Sequence, residues 1–169
     1  MKLKELLEQY SNVELTEEQE KQIKDYLGIK NSKKWKPKNS EKYFYINCYG
    51  EIDYAAYDNN DEADVYELFV NNCFKTKQEA EFRLEQIKVY NELKNFADEN
   101  NDEIDWKDDN ENQYLITYNH RRGQKGIDIY ATISTQDIGQ IGFSSRQLAE
   151  QAIEKVGADR ITKYLFGVE

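Results

Sequence analysis

Histidine and cysteine are nearly missing from this 169-residue chain, and each shortage closes off a class of protein. The only histidine, His120, cannot build a zinc site of clustered imidazoles. It sits in a turn beside Arg121, Arg122 and Lys125 and reads as a surface residue rather than a general base. Two cysteines, Cys48 and Cys73, make neither a disulfide framework nor a metal-ligand spacing, and read as reduced and partly buried. No glycine-rich phosphate loop and no nucleophile elbow occurs. No apolar run approaches the ~20 residues that span a bilayer, and Met1-Lys2-Leu3-Lys4-Glu5 lacks the apolar core of a secretory leader. The expectation is a cytosolic protein without cofactor or enzymatic activity.

Basic residues are scarce in particular places. From Glu51 to Glu67 the chain carries seven acids, among them Asp58, Asp61, Glu62 and Asp64, and no Lys or Arg. From Asp98 to Glu111 eight acids, including Asp102, Asp105, Asp108 and Asp109, stand against Lys107 alone. The segment Lys30–Lys42 is the reverse, with six lysines and one acid, Glu41. The whole chain has a net charge of −10, which repels nucleic acid at long range and steers basic partners inward. The run Asp58–Asp64 looks superficially like a calcium loop but lacks the central glycine and the distal glutamate. The many carboxylates leave a carboxylate-only metal site open, and none is assigned.

Against these shortages the chain is rich in tyrosine, with thirteen. Tyrosine suits half-buried strands, and it also suits contact surfaces because the ring packs while the hydroxyl stays wet. The chain is organised by a recurrence. Phe74-Lys75-Thr76-Lys77-Gln78-Glu79-Ala80-Glu81 returns as Phe143-Ser144-Ser145-Arg146-Gln147-Leu148-Ala149-Glu150. In both, a hydroxyl residue stands two positions after the Phe, where a helix N-cap belongs. Thr76 and Glu79 add a capping box. Tyr43-Phe44-Tyr45-Ile46 and Tyr114-Leu115-Ile116 stand at similar distances upstream.

The pattern predicts an α+β fold: two imperfect repeats of a three-stranded antiparallel sheet plus helix, preceded by an N-terminal helical hairpin. The hairpin spans 1–28, with Leu3, Leu6, Leu7 and Tyr10 on one helix and Ile23, Tyr26 and Leu27 on the next. No third helix follows and the face is acidic, which argues against a helix-turn-helix DNA reader. A basic linker covers 29–42 and contains Trp35, an anchor for a partner or a ring tucked onto the first sheet. Repeat one, with its acidic connector, covers 43–112. Its strands are predicted at 43–49, 51–57 and 65–70, followed by a helix from Lys77 with Ala80, Leu84, Ile87, Tyr90, Leu93 and Ala97 inward. Repeat two covers 113–169, with strands at 113–119 and 127–133, a third ending at Phe143, a helix from Arg146 to Gly157, and a short closing helix.

Two resemblances follow from particular residues. The three strands and the Phe-x-Thr-Lys-x-x-Ala opening of the helix resemble the AP2-like arm-binding domains of tyrosine recombinases, which lay the sheet into the major groove. Here Glu51, Asp53 and Glu67 stand where that family has basic and amide side chains, and Arg121, Arg122 and Lys125 are the candidates for touching phosphate. Trp35-Lys36-Pro37, Glu41-Lys42-Tyr43, Tyr45-Ile46, Asn72-Cys73-Phe74-Lys75-Thr76 with Ala80-Glu81, and Ala158-Asp159-Arg160-Ile161 through Tyr164-Leu165-Phe166-Gly167 resemble small phage and prophage proteins of low-GC Gram-positive bacteria. That group includes counter-defence candidates.

The second resemblance implies a phage protein acting in the cytoplasm of an infected host. It brings no catalytic motif. Combined with the charge pattern, it points to a non-enzymatic inhibitor of a host defence or nucleic-acid-handling protein. Its acids would stand where such a protein expects phosphates, a Cas nuclease being one concrete target. The contacts expected are Asp58, Asp61, Glu62, Asp64, Asp102, Asp105, Asp108 and Asp109, with Trp35, Arg121 and Arg122 besides. A virion or assembly component, self-associating through the helical hairpin, is the third reading.

Overall fold

The computed structural model describes residues 35–105, 107–108, 111–133 and 139–168. The chain divides into two units, Met1–Lys36 and Pro37–Glu169, at a point inside the expected linker. The predicted hairpin at 1–28 lies outside the described residues. Among those described, the second unit is α+β, with four helices and antiparallel sheets of two and three strands.

Strands β1 (Lys42–Ile46) and β2 (Ile52–Ala56) pair antiparallel, Lys42 opposite Ala56 and Ile46 opposite Ile52. The turn between them closes on Asn47, whose side-chain oxygen accepts from Tyr49 N at 2.9 Å and Glu51 N at 3.0 Å. Gly50 takes the left-handed backbone (φ 75°) that glycine tolerates without strain. Directly opposed residues share a face. One face carries Tyr43, Tyr45, Asp53 and Ala55. The other carries Lys42, Phe44 and Tyr54, with the Lys42 ammonium 3.8 Å from the Tyr54 ring centre.

The third strand expected at Val65–Val70 is not there. Those residues belong to helix α1 (Glu62–Phe69). The reason is local. Asp61 caps the helix, its Oδ1 accepting from Ala63 N at 2.8 Å, and Glu62 and Asp64 sit in the first turn where the dipole favours acids. Val65, Tyr66, Phe69 and Val70 also fall at helical spacing rather than in alternation. Asn71 ends the element in left-handed conformation (φ 63°).

Two smaller devices occupy the free edge of β1. Phe44 and Phe74 exchange both backbone hydrogen bonds at 2.9 Å. The Asn72 side-chain amide accepts from Ile46 N at 3.1 Å and donates to Ile46 O at 2.8 Å, doing the work of a backbone pair.

Helix α2 (Lys77–Asn100) begins at the expected capping box, Glu79 N bonding Thr76 Oγ1 and Thr76 N bonding the Glu79 carboxylate, both at 3.2 Å. Its buried face is Ala80, Val89, Leu93, Phe96 and Ala97, whereas Ile87 and Tyr90 of the predicted stripe lie open. The stripe turns because α2 serves two neighbourhoods. It packs against β1 and β2 and also against the two C-terminal helices.

Strands β3 (Gln113–Asn119), β4 (Gly126–Thr132) and β5 (Gly142–Phe143) form the second sheet in the order β4-β3-β5. Tyr114, Ile116, Ile127, Ile129 and Phe143 share the face that meets the core. Ser145 caps α3 (Arg146–Val156), accepting from Leu148 N at 3.2 Å. Gly157 (φ 99°) breaks the chain into α4 (Ala158–Leu165). Ala149, Ala152, Val156 and Ile161 close the core with Val89, Leu93, Phe96 and Ala97 of α2, while Tyr164 and Leu165 are half-buried at its margin.

Candidate functional site

The first acidic stretch folds into a turn and the start of a helix, and most of its carboxylates are engaged there. Asp61 caps α1. Asp58 accepts from Asn60 N at 2.9 Å, closing its own turn. Asp64 is half-buried and accepts from the Tyr43 hydroxyl at 2.6 Å and from Asp58 N at 2.7 Å. Tyr43 is nearly sealed from water at 1 % exposure. Burial, reinforced by the Asp64 hydrogen bond, holds its phenol protonated well above the ordinary range. Burial and then the Asp53 charge raise Tyr45 in the same direction. Glu51, Asp53 and Glu62 are exposed.

The second acidic stretch is a connector tied back to the sheet. Asn101 donates to Gly142 O at 2.8 Å and accepts from Ser144 N at 3.1 Å, and Asp102 N reaches Ser144 Oγ at 3.2 Å. Asp105 accepts from Lys107 N at 2.9 Å, and its own N–H bonds Glu111 at 3.2 Å. Asp102, Asp105 and Asp108 are exposed. Asp109 lies outside the described residues. Among the described residues, no three His, Cys, Asp or Glu side chains gather as metal ligands.

Arg121, Arg122 and Lys125 are exposed in the β3–β4 turn, and the His120 ring lies 4.8 Å from that of Tyr118. Trp35 belongs to the other unit. Cys48 is exposed and Cys73 buried, and neither is in a disulfide.

Two features were not read from the sequence. The first is a cleft of about 380 Å³ beside β3, lined by Tyr90, Leu115, Ile141, Leu165 and Phe166 among others. It opens where β5 stops pairing after Gly142 opposite Leu115, a limit that no local pattern announces. The second is α1, which has no buried residue. Its acids Asp64 and Glu67 hydrogen-bond to the body, while Phe69 is 80 % exposed and Tyr66 62 %. The signal was present in the i, i+1, i+4, i+5 spacing of Val65, Tyr66, Phe69 and Val70. The β-forming character of those residues hid it.

Comparisons with protein-family models, curated proteins and solved structures produced no match to the chain. No helix among the described residues is long and apolar enough to cross a membrane.

Proposed function

We propose that this chain is a stoichiometric, non-enzymatic binder that inhibits a nucleic-acid-handling protein of a bacterial host. The phage setting, and a Cas nuclease as one concrete target, rest on the sequence resemblance. The observation that carries the reading is the placement of charge. Glu51, Asp53, Asp58, Asp61 and Glu62 are all exposed, and no Lys or Arg lies between Lys42 and Lys75. Such a surface attracts a groove built for phosphate and associates quickly at low salt.

The test is capture from a Gram-positive bacterial lysate on the immobilised full chain, with duplex DNA as competitor. The expected result is a nucleic-acid-binding protein that DNA displaces, and that a variant reversing Asp102, Asp105 and Asp108 to Lys holds less well. Retention indifferent to both DNA and charge reversal overturns the reading.

A second reading, an AP2-like nucleic-acid binder, draws support from the exposure of Arg121, Arg122 and Lys125 on one turn. It requires a gel shift that weakens steeply with salt, and no shift at low salt removes it. We also read the two frames as copies of one unit. What supports this is that Phe74 bridges Phe44 of the first hairpin and Phe143 pairs with Tyr114 of the second, each just before a hydroxyl-capped helix.

A further inference from the structure

A helix on a water-soluble body normally turns its apolar stripe inward and its charges outward. Helix α1 departs from this, with two of its acids turned to the body and four apolar residues left in water. Asp64 bonds Tyr43 and Asp58, and the Glu67 carboxylate accepts from Asn72 Nδ2 at 2.5 Å. These inward acids fix the helix by hydrogen bonds, with half-buried Leu68 beside Glu67, while Val65, Tyr66, Phe69 and Val70 are left in water. Val65, Tyr66, Phe69 and Val70 fall on one exposed face. Two of the four are aromatic, a residue class enriched in binding hot spots. Glu62 lies one turn before Val65 and Tyr66, and Asp58 and Asp61 precede it in the capping turn.

From this arrangement we infer that the outward face of α1 is a docking surface for a protein partner with an apolar socket beside lysines or arginines. Phe69 and Tyr66 fill the socket and Glu62, Asp58 and Asp61 meet the cations. Charge argues for this occupant. Between Glu51 and Glu67 there is no basic residue, so a second copy of this face would bring acids against acids. A basic partner brings complementary charge to the rim and an apolar pocket to the middle. This inference rests on the binder reading above and names the surface and the chemistry of its partner.

The experiment places a photo-crosslinking benzoylphenylalanine at position 69 of the full chain, and in a second preparation at exposed Tyr130 as control. Both are irradiated in the same bacterial lysate. The captured protein is then purified and titrated against the wild type, Phe69→Ser, Tyr66→Ser and the Asp102, Asp105, Asp108 charge reversal.

The expected result is a basic protein crosslinked from position 69 and not from position 130. Each α1 substitution should weaken it by about 30-fold or more, the size of a hot-spot loss, with unchanged thermal unfolding. A crosslink from position 69 to another copy of the chain, or within the chain itself, overturns the inference. So does a partner whose affinity is indifferent to Phe69 and Tyr66. If that partner is still displaced by DNA and by charge reversal, the binder reading stands and only the surface is wrong. If neither position captures any protein, the α1 surface falls, while the binder reading is decided by capture on the immobilised chain and its displacement by DNA.

Discussion

Tyr43 shows how much one side chain can organise in a sheet of two strands. Its ring is sealed from water between Tyr45 and Tyr57, with ring centres 5.7 and 6.1 Å away. Its hydroxyl reaches Asp64, and through that bond β1 holds the start of α1. A buried hydroxyl bonded to a charged acceptor contributes more than a neutral pair. Tyr43→Phe should therefore cost about 1–3 kcal/mol in urea unfolding with an unaltered denaturant slope. A loss under about 0.5 kcal/mol would mean that the bond is no better than one to water. Asn72 is a second such residue, its amide completing the edge of β1 in place of a strand.

At the scale of elements, the ends of helices decide more than their middles. Thr76, Ser145 and Gly157 set the boundaries of α2, α3 and α4. A long-range tie then fixes α4 on α2. Arg160 holds Glu92 bidentately at 2.7 and 2.9 Å and lies 3.7 Å from Glu85. The Arg160 hydrogen bond keeps Glu92 below the ordinary carboxylate range, against a smaller opposing effect of burial, and Glu92 in turn raises Arg160.

Because the folded pKa of Glu92 lies below its unfolded one, the tie stabilises fully above the ordinary glutamate value of about 4.3 and is lost as pH falls through the lower folded value. Arg160→Met, which keeps the apolar stem, should cost about 0.5–1 kcal/mol at pH 7, a modest figure because both partners are partly in water. At about pH 3 the difference from the wild type should shrink. A difference that stays constant between the two pH values would show that the arginine acts through packing alone.

At the scale of the molecule, charge dominates. A net charge of −10 is a self-repulsion that salt screens, so the unfolding temperature should rise between about 0.01 and 0.15 M NaCl as the screening length falls from about 30 to 8 Å. Binding to a basic partner should weaken over the same range. Opposite signs in the two titrations, read by thermal melts and by affinity, separate repulsion within the chain from attraction across an interface. A melting temperature that fell with salt would mean that ion pairs such as Arg160–Glu92 outweigh the repulsion.

Local signals were enough to read the capping box at Thr76 and Glu79, the second cap at Ser145, the stop at Gly157 and the strand Gln113–Asn119. Each depends on chemistry within a few residues, so the amino-acid sequence determined it unaided. Val65–Val70 went the other way. Residues of strand-forming type became a helix because Asp61 could cap it and Asn72, five residues on, could bond Glu67, while Tyr43, 21 residues before Asp64, ties that helix to β1. Asp58, Asp61 and Glu67 find their donors within five residues, whereas which side of α1 is turned to the sheet follows from the long-range Tyr43–Asp64 bond. Only the tertiary structure decided that orientation, because the Tyr43 hydroxyl that reaches Asp64 comes from a strand 21 residues earlier.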